Sequence, residues 1–166
     1  MRSTSWYGGG GAMAVAERLS ANFTRAEFAC QDHCGFGLGP DDVSPRLVDG
    51  LQALRDRLGA AGCARPVRVL SGCRCVARNT LVGGGVHSRH LLGWAADIWV
   101  DGMTARELYA QVIEIPAFAA GGVGVSDEGG FVHVDVREGD LARQAAPDRP
   151  VRWCYREGKE AGWYEG

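Results

Sequence analysis

Three of the four histidines in this chain lie in two short segments that also carry acidic side chains. The first segment, residues 87–97, contains His90 and ends in Asp97. The second segment, residues 131–137, contains His133. Two imidazoles and one carboxylate, with a fourth position left for water, form a ligand set that catalytic zinc uses. These residue types therefore indicate a zinc site formed by His90, Asp97 and His133.

The alternation of side chains along strands predicts how these groups meet. Trp94–Val100 and Phe131–Val136 have the composition of strands, and successive side chains of a strand point to opposite faces. Each strand then has one fully apolar face and one face that carries the polar groups. If both strands belong to one sheet, Asp97 and His133 project to the same side, and His90 from the preceding loop completes the set. For either segment taken alone, a solvated surface histidine is the alternative.

Two helices, a further helix start and three further strands are predicted around these segments. Ser44–Leu58 has leucines three or four positions apart, a stripe typical of a helix face turned to a core. Thr104–Ile113 begins with a Thr-x-x-Glu capping box, and a second box at Thr24 predicts another helix start. The remaining candidates are strands over Val67–Leu70, Val123–Val125 and Val151–Tyr155 and a loop over 81–93. The last of these strands is expected at a sheet edge. Helices and strands without regular βαβ alternation predict a compact α+β domain.

Length and composition limit the architecture and the class of partner. The chain has 166 residues, 46% hydrophobic and 23% charged, which suits one core and disfavours a second full domain. We expect a disordered tail over 1–18, whose glycine-rich start lacks the apolar run of an export signal, and one domain over 19–166. The 18 basic and 20 acidic side chains give a net charge of -2, which does not favour a nucleic-acid partner. No apolar stretch approaches the roughly 20 residues that span a bilayer, so no membrane partner is expected. We also expect the chain to be a monomer.

Six cysteines leave three interpretations open. Disulfides, free thiols and a structural metal site are all compatible with this number in a small chain. Cys30, His33 and Cys34 offer closely spaced ligands for such a metal site, although no pair of Cys-x-x-Cys motifs accompanies them. The density of cysteines favours disulfides, whereas the missing signal peptide argues against them.

The histidine segments read Ser-x-His-x-x-Gly-x-Ala-x-Asp over 88–97 and His-x-Asp over 133–135. This pair of motifs resembles the zinc D-Ala-D-Ala carboxypeptidase family, which includes peptidoglycan carboxypeptidases and endopeptidases, some of them phage lysis proteins. The chain is most similar to the small single-domain members. Supporting matches lie at 22–28 and 71–75, where Cys73 replaces the usual tyrosine or phenylalanine. The resemblance implies the fold that this family shares with Hedgehog-type domains, a mainly antiparallel sheet with flanking helices.

The resemblance also implies roles for individual residues. His90, Asp97 and His133 correspond to the ligands of one zinc ion per chain, and Arg74 to a cation beside the metal that holds an oxyanion or a substrate carboxylate. The implied substrate is the stem peptide or cross-link of peptidoglycan, so the implied site of action is the periplasm or the cell wall. A zinc-binding module of the same fold that has lost catalysis, and a phage structural or assembly protein, are the alternatives.

The general base is the least determined part of the implied site. Many relatives carry an acidic residue three positions before the last histidine ligand, where this chain has Gly130. Asp135 shares a strand face with that histidine and is the first candidate, with Asp127 and Glu128 as rivals in the preceding turn. Asp135 has the alternative role of orienting a ligand. His87 is expected to be a loop residue rather than a fourth ligand, and the tryptophans are expected to pack rather than to bind sugars.

Overall fold

One mixed sheet carries the strands that the structure describes. The computed structural model describes residues 17–137, 151–156 and 159–161. The strands in chain order are β1 (Val67–Ser71), β2 (Ala95–Val100), β3 (Gly122–Ser126), β4 (Phe131–Asp135), β5 (Val151–Arg156) and β6 (Lys159–Ala161). They lie side by side in the order β1-β2-β4-β3-β5-β6, and every neighbouring pair is antiparallel except β3 and β5. With its flanking helices, this sheet confirms the predicted α+β class.

Helices and 3-10 turns flank the sheet. The helices are α1 (Pro45–Ala60), α2 (Val76–Leu81), α3 (Ala105–Val112) and α4 (Pro116–Ala119), and the 3-10 turns cover Arg25–Phe28 and Arg89–Leu92. The Ser44 side chain caps α1 by accepting a hydrogen bond from the Leu47 amide, and Pro45 follows at the first helical position. Both predicted capping boxes are present, at Thr24 and Thr104. The leucine stripe of α1 is almost fully buried, which confirms that helix.

The main hydrophobic core lies on the apolar face of the sheet. Ile98 of β2 and Val134 of β4 are fully buried there, together with the leucines of α1 and Leu108 of α3. Each aliphatic side chain removed from water in this way contributes about 1.5–3 kcal/mol of stabilisation. This packing commits one face of β2 and β4 to the core, and the opposite face, which holds Asp97 and His133, is therefore left for the polar groups.

The structure departs from the predicted elements in three regions, one of which is the unpredicted helix α4. Val151–Tyr155 is not an edge strand, because the three-residue β6 pairs along its outer side. The helix α2 forms where none is predicted, and the Cys75 side chain caps it by accepting a hydrogen bond from the Arg78 amide at 3.4 Å. The predicted loop over 81–93 also includes the second 3-10 turn.

The first residues that the structure describes already contact the domain. Glu17 pairs with Arg25 at 2.9 Å, and Arg18 forms a β-bridge with Thr24. These two residues of the predicted tail therefore belong to the folded part, while residues 1–16 lie outside the described residues. No helix among the described residues has both the length and the apolar character needed to cross a membrane. All six cysteines are described, and no disulfide joins any two of them.

Candidate functional site

A cavity of about 1300 Å³ opens over the polar face of β2 and β4. The segment 82–90 forms one wall, and side chains of β5 form another. Arg74, which follows β1, also lines the cavity. The three residues that the sequence assigns to a zinc site all contribute to its lining: His90, Asp97 and His133.

Backbone pairing brings these three side chains together. Asp97 of β2 and His133 of β4 are partners in the antiparallel ladder, so both project from the same face of the sheet. His90 belongs to the 3-10 turn directly before β2. Gly93 ends this turn in the left-handed conformation at φ 68°, which favours glycine, and the chain then enters β2.

The donor atoms form a compact triangle that fits a zinc ion. His90 Nε2 lies 3.2 Å from Asp97 Oδ1 and 3.1 Å from His133 Nδ1, and the latter two atoms are 2.9 Å apart. A tetrahedral zinc with N and O ligands at 2.0–2.1 Å separates its ligand atoms by about 3.3 Å. All three residues are at most 5% exposed. The donor set and its spacing therefore suit zinc.

Each imidazole is held by a second contact that determines its tautomer. His90 Nδ1 lies 2.6 Å from the Gly72 carbonyl oxygen, which only accepts, so the proton belongs on Nδ1 and the lone pair on Nε2 faces the triangle. His133 shows the reverse arrangement, with Nε2 at 3.4 Å from Asp135 Oδ2 and Nδ1 facing the triangle. Metal-binding histidines characteristically donate their other ring N–H to a carbonyl or a carboxylate.

Burial and mutual contact shift the pKa values of the three groups in different directions. Burial lowers the pKa of His90. Burial alone would raise the pKa of Asp97, but the charges and hydrogen bonds of His90 and His133 hold it well below its ordinary value. Burial also opposes protonation of His133, but hydrogen bonds to Asp135 and Asp97 raise its pKa to about 9. In the metal-free protein, His133 therefore carries a proton that a metal ion has to displace.

Arg74 lies at the edge of the triangle. Its Nε donates a hydrogen bond to the Ser71 hydroxyl at 2.8 Å, and its guanidinium also pairs with Asp97. Its backbone amide donates to the His90 carbonyl oxygen at 3.0 Å. The side chain is only 13% exposed. Arg74 is thus a fixed cation that faces the same cavity as the candidate metal ligands.

Asp135 lies on the far side of His133 from the triangle. Its Oδ1 accepts a hydrogen bond from the Gly122 amide at 3.1 Å and lies 2.9 Å from Arg137 Nε. Burial would raise the pKa of this fully buried carboxyl, but the hydrogen bond and charge of His133, followed by Arg137, lower it. The sequence leaves open whether Asp135 is the general base or orients a metal ligand, and these contacts favour the orienting role.

The other two candidates for the general base lie in the turn between β3 and β4 and have different surroundings. Asp127 forms an exposed ion pair with Arg106 at 2.6 Å. Glu128 is exposed and lines the cavity. Gly130 closes the turn at φ 65°, a left-handed conformation that favours glycine, so the turn itself explains why no acidic side chain stands there. His87 also lines the cavity and is exposed, but it is not part of the triangle.

An aromatic wall beside the site was not assigned from the sequence. Trp153 of β5 packs on His133 with ring centroids 5.0 Å apart, and Tyr155 continues the wall to Phe131 with centroids 5.6 Å apart. Gly124, the partner of Trp153 in the parallel ladder, has no side chain and leaves room for the indole. The alternation of Trp153 and Tyr155 along one strand face is the signal that points to this wall.

Comparison with known proteins identifies relatives of this chain. A profile of the family described as peptidase M15 matches residues 21–135, which include all three donors and Arg74. Proteins named peptidoglycan L,D-endopeptidase MepK, from Escherichia coli strain K12 and from Shigella flexneri, are each 30% identical to this chain over 98 residues. The alignment covers 56% of this chain and 50% of each relative, so the chain spans about half the length of the curated relatives it matches.

Proposed function

Because this chain belongs to the peptidase M15 family, we propose that it is a zinc-dependent metallopeptidase that hydrolyses D-amino-acid-containing peptide bonds in peptidoglycan stem peptides or cross-links. The observation that carries the proposal is the buried triangle of donor atoms from His90, Asp97 and His133 in the wall of a large cavity. The similarity to proteins named peptidoglycan L,D-endopeptidases supports the substrate class. This substrate would place the site of action in the periplasm or the cell wall, and we expect a monomer.

The protein groups around the triangle prepare it for a metal. Zinc bound there would supply a Lewis acid and a bound water whose pKa falls to about 7. The Gly72 carbonyl oxygen keeps the proton of His90 on Nδ1, and Asp135 does the same for Nε2 of His133. Once a metal ion displaces the Nδ1 proton of His133, both rings present a lone pair to the same point as the Asp97 carboxylate.

Arg74 is the residue that we assign to binding the developing oxyanion or a substrate carboxylate. Its guanidinium is planar, permanently charged and able to donate two parallel hydrogen bonds. The Ser71 hydroxyl and the Asp97 carboxylate hold it at the edge of the triangle. A donor that is already in place has little reorganisation to undergo when negative charge develops on the substrate.

The position of Asp135 changes the preferred assignment of the proton-transfer group. Among the described acidic side chains, the cavity lining includes Asp97, Glu128 and Asp135. Asp97 is assigned to the metal, and Asp135 is buried behind His133, where it can orient the ring. We therefore infer that Glu128, whose carboxylate reaches solvent at the cavity, exchanges the proton with the attacking water and the leaving amine. Asp135 as the base is the competing assignment, and the two differ in the zinc affinity expected of the corresponding variants.

The function is tested by incubating the purified protein with defined cross-linked muropeptides. Mass spectrometry of the products identifies the bond: a carboxypeptidase releases one terminal amino acid, whereas an endopeptidase separates the joined peptides. Hydrolysis should stop with a chelator, return with zinc and be absent in His133→Ala. A zinc-loaded wild-type protein that releases no product from any muropeptide would instead support a binding module without catalysis.

A further inference from the structure

A second group of metal-binding side chains lies outside the candidate active site. The sulfur atoms of Cys30, Cys34 and Cys75 all lie within 4.8 Å of one another. Cys30 and Cys34 belong to the loop that follows the first 3-10 turn, and Cys75 directly precedes α2. Two chain segments that are distant in sequence therefore place three thiols at one point.

The loop conformation explains how Cys30 and Cys34 come together. The Cys30 amide donates to the Phe36 carbonyl oxygen at 2.8 Å, and the His33 amide donates to the Cys30 carbonyl oxygen at 3.1 Å. His33 itself adopts φ 54°, in the left-handed region that few residues other than glycine occupy. This tight turn directs Cys34 back towards Cys30. The imidazole of His33, which the sequence offers as a ligand, is not part of the sulfur group.

Backbone amides point at two of the three sulfur atoms. The Cys75 amide donates to Cys30 Sγ, and the Arg78 amide donates to Cys75 Sγ, each at 3.4 Å. Such hydrogen bonds stabilise thiolates and accompany metal–sulfur sites. A carboxylate is also close, since Asp32 Oδ2 lies 3.8 Å from Cys75 Sγ.

We propose that Cys30, Cys34 and Cys75 bind a second zinc ion as thiolates, with Asp32 or water in the fourth position. Three thiolates form a soft donor set that suits zinc. Zn–S bonds of about 2.3 Å place the sulfur atoms of a tetrahedral site about 3.8 Å apart. This separation is compatible with the three sulfur atoms lying within 4.8 Å of one another. Binding releases the thiol protons to solvent, and no oxidant is required. A disulfide would use two of the sulfur atoms and leave the third without a role.

The position of this group gives the ion a structural task. It would tie the loop of Cys30 to Cys75, the residue next to Arg74. Gln31, between two of the proposed ligands, lines the same cavity as Arg74 and donates a hydrogen bond to the Leu70 carbonyl oxygen at 2.8 Å. The thiolate site therefore fixes one rim of the candidate active site without taking part in it.

Metal analysis of the intact chain, purified under reducing conditions without chelator, tests the proposal. Wild type should contain two zinc ions per chain, and Cys34→Ser, a change at an exposed position, should contain one. Cys63→Ser is the matched control and should keep two. His133→Ala should also contain one zinc ion, and that ion should be at the thiolate site. Metal content therefore reports on each site without an activity assay.

Cobalt substitution identifies which site is lost. Cobalt-loaded wild type and His133→Ala should both show thiolate-to-cobalt charge-transfer absorption in the near ultraviolet, and Cys34→Ser should lose most of it. A wild-type protein that binds one metal and shows no such absorption would overturn the proposal. In protein purified without reductant or chelator, an intact mass two hydrogens lower, with two of these cysteines joined by a disulfide, would overturn it as well.

Discussion

Individual residues of the candidate active site are each held by a partner outside the metal triangle. Gly72 holds His90, Asp135 holds His133, and Arg74 contacts Asp97. These contacts set protonation states and side-chain orientation before a ligand binds. Substitution of a holding residue should therefore have an effect distinct from substitution of a group that meets the substrate.

Arg74→Ala should leave the zinc content unchanged and lower kcat/KM for muropeptide hydrolysis by about 10²–10³-fold, the usual effect of removing one oxyanion donor. Arg106→Ala removes an arginine that pairs with exposed Asp127 and is the matched control, expected to retain wild-type kcat/KM. Parallel steady-state kinetics and metal analysis provide the measurement. If Arg74→Ala kept the wild-type kcat/KM, Arg74 would have no part in the mechanism.

Asp135→Asn and Glu128→Gln should fail in different ways. Because Asp135 orients His133, Asp135→Asn should weaken zinc affinity by about 10–100-fold and regain activity when zinc is raised. Glu128→Gln should keep its zinc and lose about 10²–10⁴-fold in turnover, the range that general acid–base catalysis supplies. Zinc titration and hydrolysis assays on both variants, with Asp127→Asn as the control, separate the roles. A zinc-replete but inactive Asp135→Asn beside an active Glu128→Gln would make Asp135 the base.

At the level of elements, the parallel pairing of β3 with β5 brings an aromatic wall to the metal triangle. Gly124 on β3 faces Trp153 on β5. A methyl group at Gly124 would overlap the indole, which in turn packs on His133. The absence of a side chain at this position is therefore a packing requirement of the site.

Gly124→Ala should lower the free energy of unfolding by about 1–3 kcal/mol, as expected when extra atoms enter a well-packed region. Gly85→Ala is the control, because no atom lies within 4 Å of the position that its methyl group would take and its backbone is compatible with alanine. That variant should stay within about 0.5 kcal/mol of wild type. Urea unfolding of both proteins makes the comparison, and equal stabilities would show that the indole moves aside without cost.

The helices and strands with a clear periodic pattern could be predicted from sequence, but the short elements α2, α4 and β6 and the pairing between strands could not. Alternation in Phe131–Val136 and the leucine stripe in Ser44–Leu58 follow from the fixed geometry of strands and helices, so both are visible in the sequence. The position of Trp153 beside His133 depends on the pairing of β5 with β3, and no local sequence pattern predicts that pairing. The strand β6 has only three residues, Lys159–Ala161, which is too short to show periodicity. Without β6, the sequence predicts that β5 is an edge strand. The proposed role of Asp135 likewise depends on which edge of His133 it meets.

At the level of the whole molecule, the buried charges connect the site to global stability. In the metal-free protein, burial disfavours the charged form of His133, but hydrogen bonds to Asp135 and Asp97 raise its pKa to about 9. In the unfolded chain the pKa of histidine is about 6.5. Protonated His133 therefore contributes stability that is fully present below about pH 6.5 and is lost as the pH rises through about 9.

The free energy of unfolding of the metal-free protein should therefore fall between these two pH values, with a slope of up to about 1.4 kcal/mol per pH unit. His133→Gln has no such proton and should show a flatter profile. Zinc affinity of the wild type should increase over the same range, because a metal and a proton compete for one nitrogen. Urea unfolding in chelator at a series of pH values gives the profiles, and identical slopes for both proteins would contradict the assignment.

The pairing of Asp97 with His133 across β2 and β4 has a consequence for how the chain reaches its folded state. Because strand side chains alternate, a slip of one residue would turn His133 towards the core and present Val132 or Val134 to the cavity. Such a misaligned chain would lack the donor triangle, and zinc would give it no stabilisation. Added zinc should therefore favour the correctly aligned sheet over its misaligned competitors during refolding, so that the ion selects among folded states as well as serving the finished protein.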